Sequence, residues 1–257
     1  MSNEILFLAV AVLGSAFIVF SLRLGKEALF VALVANLILV SAVGSELISV
    51  LGVVTNAGNA FYGLAIFSLG LLAEFYDKKT ALRAVRIGFI GVVIFVVMTQ
   101  FSINFIHSPF SPVSPESLEI IFRKMPRIAF ASLLAYLVSA HCFIWLYDVL
   151  RRKLKGFRWA GVRYLVSALA AQAIDSALFF FVAFAGLLSN NMLLEVMSVG
   201  FVSKMAVAVT SVPFFYWAWK FAARGGVVER TLFTLLLGER KEDIRRDFLF
   251  KKPAAVY

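Results

Sequence analysis

The sequence predicts an all-α membrane protein that crosses the bilayer about seven times. Of its 257 residues, 61% are hydrophobic and only 16% are charged, and the mean hydropathy is +0.91. A soluble domain of this length needs a larger share of polar residues to cover its core. The apolar residues also form long runs, separated by short loops rich in Lys and Arg, as in polytopic membrane proteins.

Composition and motifs argue against several functional classes. Lys and Arg outnumber Asp and Glu by 25 to 15, but they stand in short loops beside apolar runs, which argues against nucleic-acid binding. The single Cys142 offers neither a disulfide framework nor a metal site. No GxxxxGK[ST], HExxH or GxSxG motif is present, so we expect neither an enzyme nor a bound cofactor or metal.

The first apolar run, residues 5–22, is predicted to be a retained span rather than a cleaved leader. Glu4 is the only charge before it, so the basic region of a signal peptide is missing. Arg23 and Lys26 follow where a leader would have a small-residue cleavage site. Six further runs of suitable length lie at 28–50, 57–76, 86–105, 127–149, 161–188 and 196–219.

Two polar segments lie outside the predicted spans. Residues 107–126 are rich in proline and are expected to form an external loop, with a short amphipathic helix near 118–122. After Lys220 the chain becomes polar, and the apolar stretch 231–237 is too short to cross the bilayer. Residues 221–257 are therefore predicted to be a cytoplasmic tail.

Loop charge predicts the orientation. The loops after spans one, three and five are rich in cations, whereas those after spans two, four and six carry few. Because basic loops stay in the cytoplasm, we expect the N-terminus outside the plasma membrane and the C-terminus inside. The cations concerned are Arg23, Lys26, Lys78, Lys79, Arg83, Arg86, Arg151, Arg152, Lys153, Lys155 and Arg158.

Three polar side chains are predicted to lie deep in the bilayer. Gln172 and Asp175 are about one turn apart in the sixth span and therefore share a face. Lys204 lies in the seventh span, and a pair with Asp175 would offset the cost of burying either charge. Ionisable groups at this depth often mark a substrate or ion path. Two interpretations stay open: a polar substrate pocket, or an ion pair that only locks two helices.

Other polar residues in the spans give weaker signals. Glu74 lies four residues before Lys78, so a surface pair would explain it. Arg163 begins a span and is expected to be an interfacial anchor. Asn36 is expected either to join helices or to bind a ligand. His141 is expected to be a packing residue, with a proton-relay role as the alternative.

An ordered series of short motifs runs from the third span to the seventh. It comprises EFYDKKTA at 74–81, RIGF at 86–89, Arg127, SLLAY at 132–136, Arg163, Ser167, QAIDS at 172–176, the segment 179–186 and Lys204. This series resembles the putative vitamin-uptake family, now understood as queuosine precursor transporters. The resemblance extends over roughly residues 26–220.

The resemblance implies an importer of queuine or a related deazaguanine base for tRNA modification. It implies a six-helix transporter core at 26–220, similar to the substrate-binding subunits of energy-coupling-factor transporters. Residues 1–25 would then form an additional helix before that core.

The implied substrate agrees with the deep polar residues. A deazaguanine presents a ring N–H and an exocyclic amine side by side, and a carboxylate such as Asp175 can accept both hydrogen bonds. Gln172 can donate and accept at the same edge, with Lys204 as the counter-ion. The candidate substrate-binding residues are Asp175, Gln172, Lys204, Asn36, Glu74 and His141.

The sequence departs from the family pattern at Gly70, Ala140 and Phe143, where the resemblance would place polar residues. One half of the expected polar pocket is therefore missing. Two other functions stay open. The chain could capture substrate for an energising, ATPase-driven partner subunit, or it could be a helix bundle that transports nothing.

Overall fold

The computed structural model is a helical bundle, described over residues 2–44, 46–50, 52–106, 108, 110–122, 125–184, 186 and 189–222. Within these residues, seven helices are long and apolar enough to cross a bilayer, which confirms the predicted all-α polytopic fold. The elements are α1 (Asn3–Arg23), α2 (Lys26–Val43), β1 (Leu47–Val50), β2 (Val53–Asn56), α3 (Gly58–Phe75), α4 (Lys78–Ser102), α5 (Pro115–Phe122), α6 (Met125–Lys153), a 3-10 turn (Phe157–Trp159), α7 (Ala160–Phe184) and α8 (Asn190–Phe221).

Helix α3 lies at the centre of the bundle. Its apolar segment is almost wholly buried, whereas each of the other six spans buries less than half of its segment. Small residues permit this packing because they let helices approach closely. A methyl group at Gly63 would come within 2.6 Å of Val207 in α8. Around this centre α2 packs along α3, α6 along α7, and α7 along α8.

Helix α1 packs on the outside of α3 and α8. The buried hydroxyls of Ser15 and Ser211 are 3.0 Å apart, which joins α1 to α8 within the bundle. The Arg23 guanidinium lies 4.3 Å from the centroid of the Phe221 ring, a cation–π contact at the ends of the same two helices. The first helix is therefore held to α8 at two levels.

A β-hairpin replaces the end of the predicted second span. The apolar run 28–50 predicted a helix to position 50, but α2 ends at Val43 and β1 pairs antiparallel with β2. Gly52 adopts a φ of +76° in the turn, a conformation that glycine tolerates without strain. The Asn56 side chain ties the hairpin to both neighbouring helices, since it donates to the Gly44 carbonyl and accepts from the Gly58 N–H.

Outside the spans, the structure confirms one prediction and extends another. The amphipathic helix expected near 118–122 is present as α5. Helix α4 begins at Lys78 rather than at 86, and the Asp77 carboxylate caps it by accepting from the Thr80 N–H at 2.5 Å. The predicted cytoplasmic tail lies outside the described residues from position 223 onward.

Candidate functional site

Asp175 and Lys204 form the predicted ion pair between α7 and α8. Lys204 Nζ lies 2.5 Å from Asp175 Oδ2, and each side chain is only 4% exposed. The same ammonium is 3.4 Å from the Ser176 hydroxyl and 4.8 Å from the centroid of the Tyr62 ring. A carboxylate, a hydroxyl and a ring face therefore replace the water that the ammonium loses on burial.

The ion pair faces a cavity near the hairpin end of the bundle. The cavity is partly open to solvent. Its walls are largely apolar with a few polar groups, which is typical of small-molecule sites. The residues lining it are Leu37, Val40, Ser41, Gly44, Asn56, Gly58, Asn59, Tyr62, Val92, Ile121, Ile128, Ala129, Ser132, Leu133, Tyr136, Asp175, Phe179 and Lys204.

Polar residues at the start of α3 complete the cavity, and the sequence interpretation missed them. The Tyr62 hydroxyl is 2.7 Å from the Ser139 hydroxyl of α6. The Asn59 amide donates to the Thr55 hydroxyl at 3.1 Å. Asn59 and Tyr62 are three residues apart and therefore share a helix face, as Gln172 and Asp175 do. This spacing in the sequence predicts a polar face on α3.

Gln172 does not line this cavity. Its side chain is fully buried about one turn from Asp175, towards the N-terminal end of α7. Neither its amide nitrogen nor its amide oxygen has a hydrogen-bond partner among the described residues. A buried amide without partners is costly, so it calls for a ligand, a water molecule or another arrangement of the helices.

Glu74 lies in a second buried cluster at the opposite end of the bundle. The expected surface pair with Lys78 is wrong, because Glu74 is buried and Lys78 instead lies 3.4 Å from Asp148. Glu74 Oε1 accepts from Arg163 at 2.5 Å and from the Trp219 indole at 2.7 Å. Its other oxygen, Oε2, accepts from the Tyr147 hydroxyl at 2.5 Å.

Arg163 is also not the exposed interfacial anchor that its position suggested. Its side chain is only 3% exposed. One of its terminal nitrogens donates to the carbonyls of Leu154 and Gly156, in the connection that precedes α7. Charge-assisted hydrogen bonds of this kind are stronger than neutral ones. The cluster thus joins α3, α6, α7, α8 and the α6–α7 connection.

Asn36 and His141 lie away from the cavity. The Asn36 amide donates to the Ala32 carbonyl one turn back in its own helix. His141 is exposed on the surface of α6, with Nδ1 2.7 Å from the Leu137 carbonyl. The buried face of α6 carries Ala140 and Phe143 instead. The structure therefore brings neither residue to Asp175.

An aromatic cluster occupies the region of the missing polar residues. The rings of Tyr164 and Phe215 stack with centroids 5.0 Å apart, and Phe143 lies edge-on to Tyr164 at 6.4 Å. Gly70 allows this packing, because a Cβ there would lie 2.8 Å from the Tyr164 ring. The departures at Gly70 and Phe143 are therefore linked: one makes room for the rings and the other adds a ring.

Replacing Gly70 with Asp, the kind of residue that the resemblance would place there, is expected to destabilise the protein. The side chain would collide with Tyr164 and Phe215 and bury an unpaired carboxylate. Gly70→Ala serves as the matched control and is expected to cost about 1–3 kcal/mol, with Gly70→Asp costing more. Thermal unfolding of the purified variants in detergent measures this order. A Gly70→Asp protein as stable as the parent would contradict the account of the aromatic cluster.

Known proteins are similar to this chain over the region that holds the cavity. The model of a family described as "Putative vitamin uptake transporter" matches residues 56–218, which include the cavity ion pair and the Glu74–Arg163 pair. A probable queuosine precursor transporter of Bacillus subtilis (strain 168) is 31% identical over 201 residues. That alignment covers 76% of this chain and 85% of the relative. No solved structure matches the chain significantly.

Proposed function

Because this chain belongs to the putative vitamin uptake transporter family, we propose that it is the importer of a queuosine precursor. The solute class is a small, planar, nitrogen-rich base, queuine or a related deazaguanine. The chain is a multi-pass membrane transporter, and the specific solute is the step that we add. The name of the Bacillus subtilis relative supports that step.

The buried carboxylate of Asp175 on the cavity wall carries the proposal. A deazaguanine presents two adjacent donors, and the two oxygens of one carboxylate can accept both. Asp175 Oδ2 already accepts from Lys204, so the ammonium shifts or shares this oxygen when the base binds. A site that reads donors in this way rejects analogues that lack them, because its buried groups are then left unpaired.

Two aromatic side chains support binding of a planar base. The rings of Tyr62 and Phe179 line the cavity next to Lys204, with centroids 4.8 Å and 6.0 Å from its ammonium nitrogen. Aromatic faces stack on heterocyclic bases through dispersion and offset packing. Gln172, one turn deeper, is available to a base that moves past Asp175 towards the other end of the bundle.

Loop charge supports the expected orientation, with the N-terminus outside and the C-terminus in the cytoplasm. In that orientation the cavity lies near the exterior and the Glu74 cluster lies near the cytoplasm. We propose that α1 is an additional helix beside a six-helix core at 26–220. Labelling of single cysteines in the hairpin and in the α6–α7 connection with an impermeant reagent tests the orientation. Labelling of the connection in intact cells would contradict it.

Complementation tests the function. In a bacterial strain that lacks both synthesis and uptake of queuosine precursors, this chain is expected to restore queuosine in tRNA when one deazaguanine base is supplied. The empty vector serves as the control, and uptake into vesicles that contain only this protein follows as the second measurement. Restoration in cells without uptake in vesicles would indicate a capture subunit that needs an energising partner. The absence of both uptake and thermal stabilisation with every deazaguanine tested would contradict the proposal.

A further inference from the structure

The cavity has a charged end and an apolar end. Helix α3 packs against α2, α4 and α8, and α6 packs against α4 and α7, so α3 and α6 lie between the α2–α4 pair and the α7–α8 pair. Asp175 and Lys204 line the cavity at the α7–α8 end. Leu37 and Val40 of α2 and Val92 of α4 line it at the α2–α4 end. The hydrogen bonds proposed for the base use only the charged end.

Three helices meet closely beneath the apolar end. A Cβ at Gly88 in α4 would lie 2.7 Å from the Leu37 side chain and 2.9 Å from the Tyr136 hydroxyl. Leu37 and Tyr136 therefore close the cavity against α4 on the side away from the hairpin. Val40 and Val92 lie about one turn nearer the hairpin on their own helices and form the walls above this contact. The α2–α4 end is therefore a pocket with a closed, largely apolar base.

Hydroxyl groups interrupt the apolar wall of this pocket. Ser41 of α2 and Ser132 of α6 line it, one turn nearer the hairpin than Leu37 and Tyr136. Ser41 Oγ donates to the Leu37 carbonyl at 3.2 Å, so its lone pairs are available to a donor on a ligand. Apolar walls with a few hydroxyls suit a small carbon ring that carries hydroxyl groups of its own.

We propose that the α2–α4 end of the cavity binds the substituent at position 7 of the base and admits a hydroxylated five-membered carbon ring, as in queuine. The inference rests on the proposed function, in which the donor edge of the base contacts Asp175. Position 7 lies on the far side of the base from that edge, so its substituent points along the cavity towards Leu37 and Val40. The ring carbons gain free energy in proportion to the apolar area that they bury. The ring hydroxyls find partners in Ser41 and Ser132.

Two bases that carry the same amine test this inference on the purified full-length protein. One is 7-aminomethyl-7-deazaguanine, whose substituent is small. The other is queuine, in which a cyclopentene diol extends the same aminomethyl group. Both present the same donor edge and a basic amine, so the added ring is the difference between them. Kd is measured for each by calorimetry in detergent at neutral pH.

We expect queuine to bind at least about tenfold more tightly than the aminomethyl base. A smaller preference, or tighter binding of the aminomethyl base, would overturn the inference and leave the proposed function intact. If neither base binds, and unsubstituted 7-deazaguanine does not bind either, the result would instead contradict the proposed function.

A substitution in α2 tests where the ring binds. Val40→Phe places a larger side chain in the pocket, so we expect the preference for queuine over the aminomethyl base to fall at least about fivefold. Leu39→Phe is the matched control, because Leu39 is 40% exposed on another face of α2, and it is expected to keep the ratio of the parent. An unchanged ratio in a folded Val40→Phe protein would overturn the inference. If that variant does not fold, the comparison of the two bases on the parent protein still decides.

Discussion

Asp175→Asn is expected to reduce uptake of a deazaguanine base by about 100-fold or more. The asparagine keeps the size of the side chain but replaces one acceptor oxygen with a donor NH₂ group. The adjacent donors of the base then lose one of their acceptors, and the cavity has no other described carboxylate. Initial uptake rates in cells, normalised to the amount of protein in the membrane, measure the effect. Uptake above about a tenth of the parent rate would contradict the assigned role.

The same substitution also leaves the Lys204 ammonium buried without a counter-charge. Removing one partner of a buried ion pair costs about 3–5 kcal/mol, so we expect this variant to be less stable than the parent. The double variant Asp175→Asn/Lys204→Met removes both charges and is expected to recover most of the lost stability. Because it still lacks the carboxylate, it is not expected to recover uptake. This pair of variants separates the loss of binding from the loss of folding.

The membrane spans could be predicted well because their signal is local. A run of about 20 apolar residues has few alternatives to a spanning helix, and all seven runs correspond to helices. The end of the second run was predicted wrongly for the same reason. Residues 47–50 are as apolar as the helix before them, and only Gly44 and Gly52 mark the break and the turn. Hydropathy measures burial in lipid and does not distinguish a hairpin on the bundle from a helix in the bilayer.

The two buried ion pairs show where sequence reasoning succeeds and where it stops. Asp175 and Lys204 lie deep in neighbouring spans, so each had one obvious partner, and the pair is present. Glu74 and Arg163 are 89 positions apart and both lie near span ends, where water is the simpler partner. Nothing in the sequence shows that the α6–α7 connection and Trp219 cover them. Predicting that pair requires knowing which helix ends meet, and helix packing determines that.

The aromatic cluster could not be predicted from the individual positions. Gly70 and Phe143 were each interpreted as a missing polar residue, because one chain gives no sign that two changes compensate each other. The structure supplies the link, since Tyr164 contacts both positions. The missing side chain at Gly70 in α3 leaves space that the rings of Tyr164 in α7 and Phe215 in α8 fill. Because protein interiors are closely packed, such changes depend on each other. The polar part of the cavity is consequently confined to the hairpin end, around Asp175 and Tyr62.

Glu74→Ala is expected to destabilise the protein by about 3–5 kcal/mol while leaving the affinity for a deazaguanine base unchanged. It leaves Arg163 buried without its counter-ion and removes the acceptor for Tyr147 and Trp219. Glu74 is 12 residues beyond Tyr62 in α3, about 18 Å along the helix axis, so it does not reach the cavity. Thermal unfolding and calorimetric binding on the same preparation measure the two effects.

Asp148→Ala is the matched control for Glu74→Ala. Asp148 also pairs with cations at the end of α6, but its partners Lys78 and Arg152 are 43% and 74% exposed. An exposed pair of this kind contributes about 0–1 kcal/mol, so this variant is expected to unfold close to the parent. Arg163→Met added to Glu74→Ala is expected to cost less than the sum of the single changes, because the buried charges are then removed together. Additive losses, or weaker base binding in Glu74→Ala, would mean that Glu74 does more than join the helix ends.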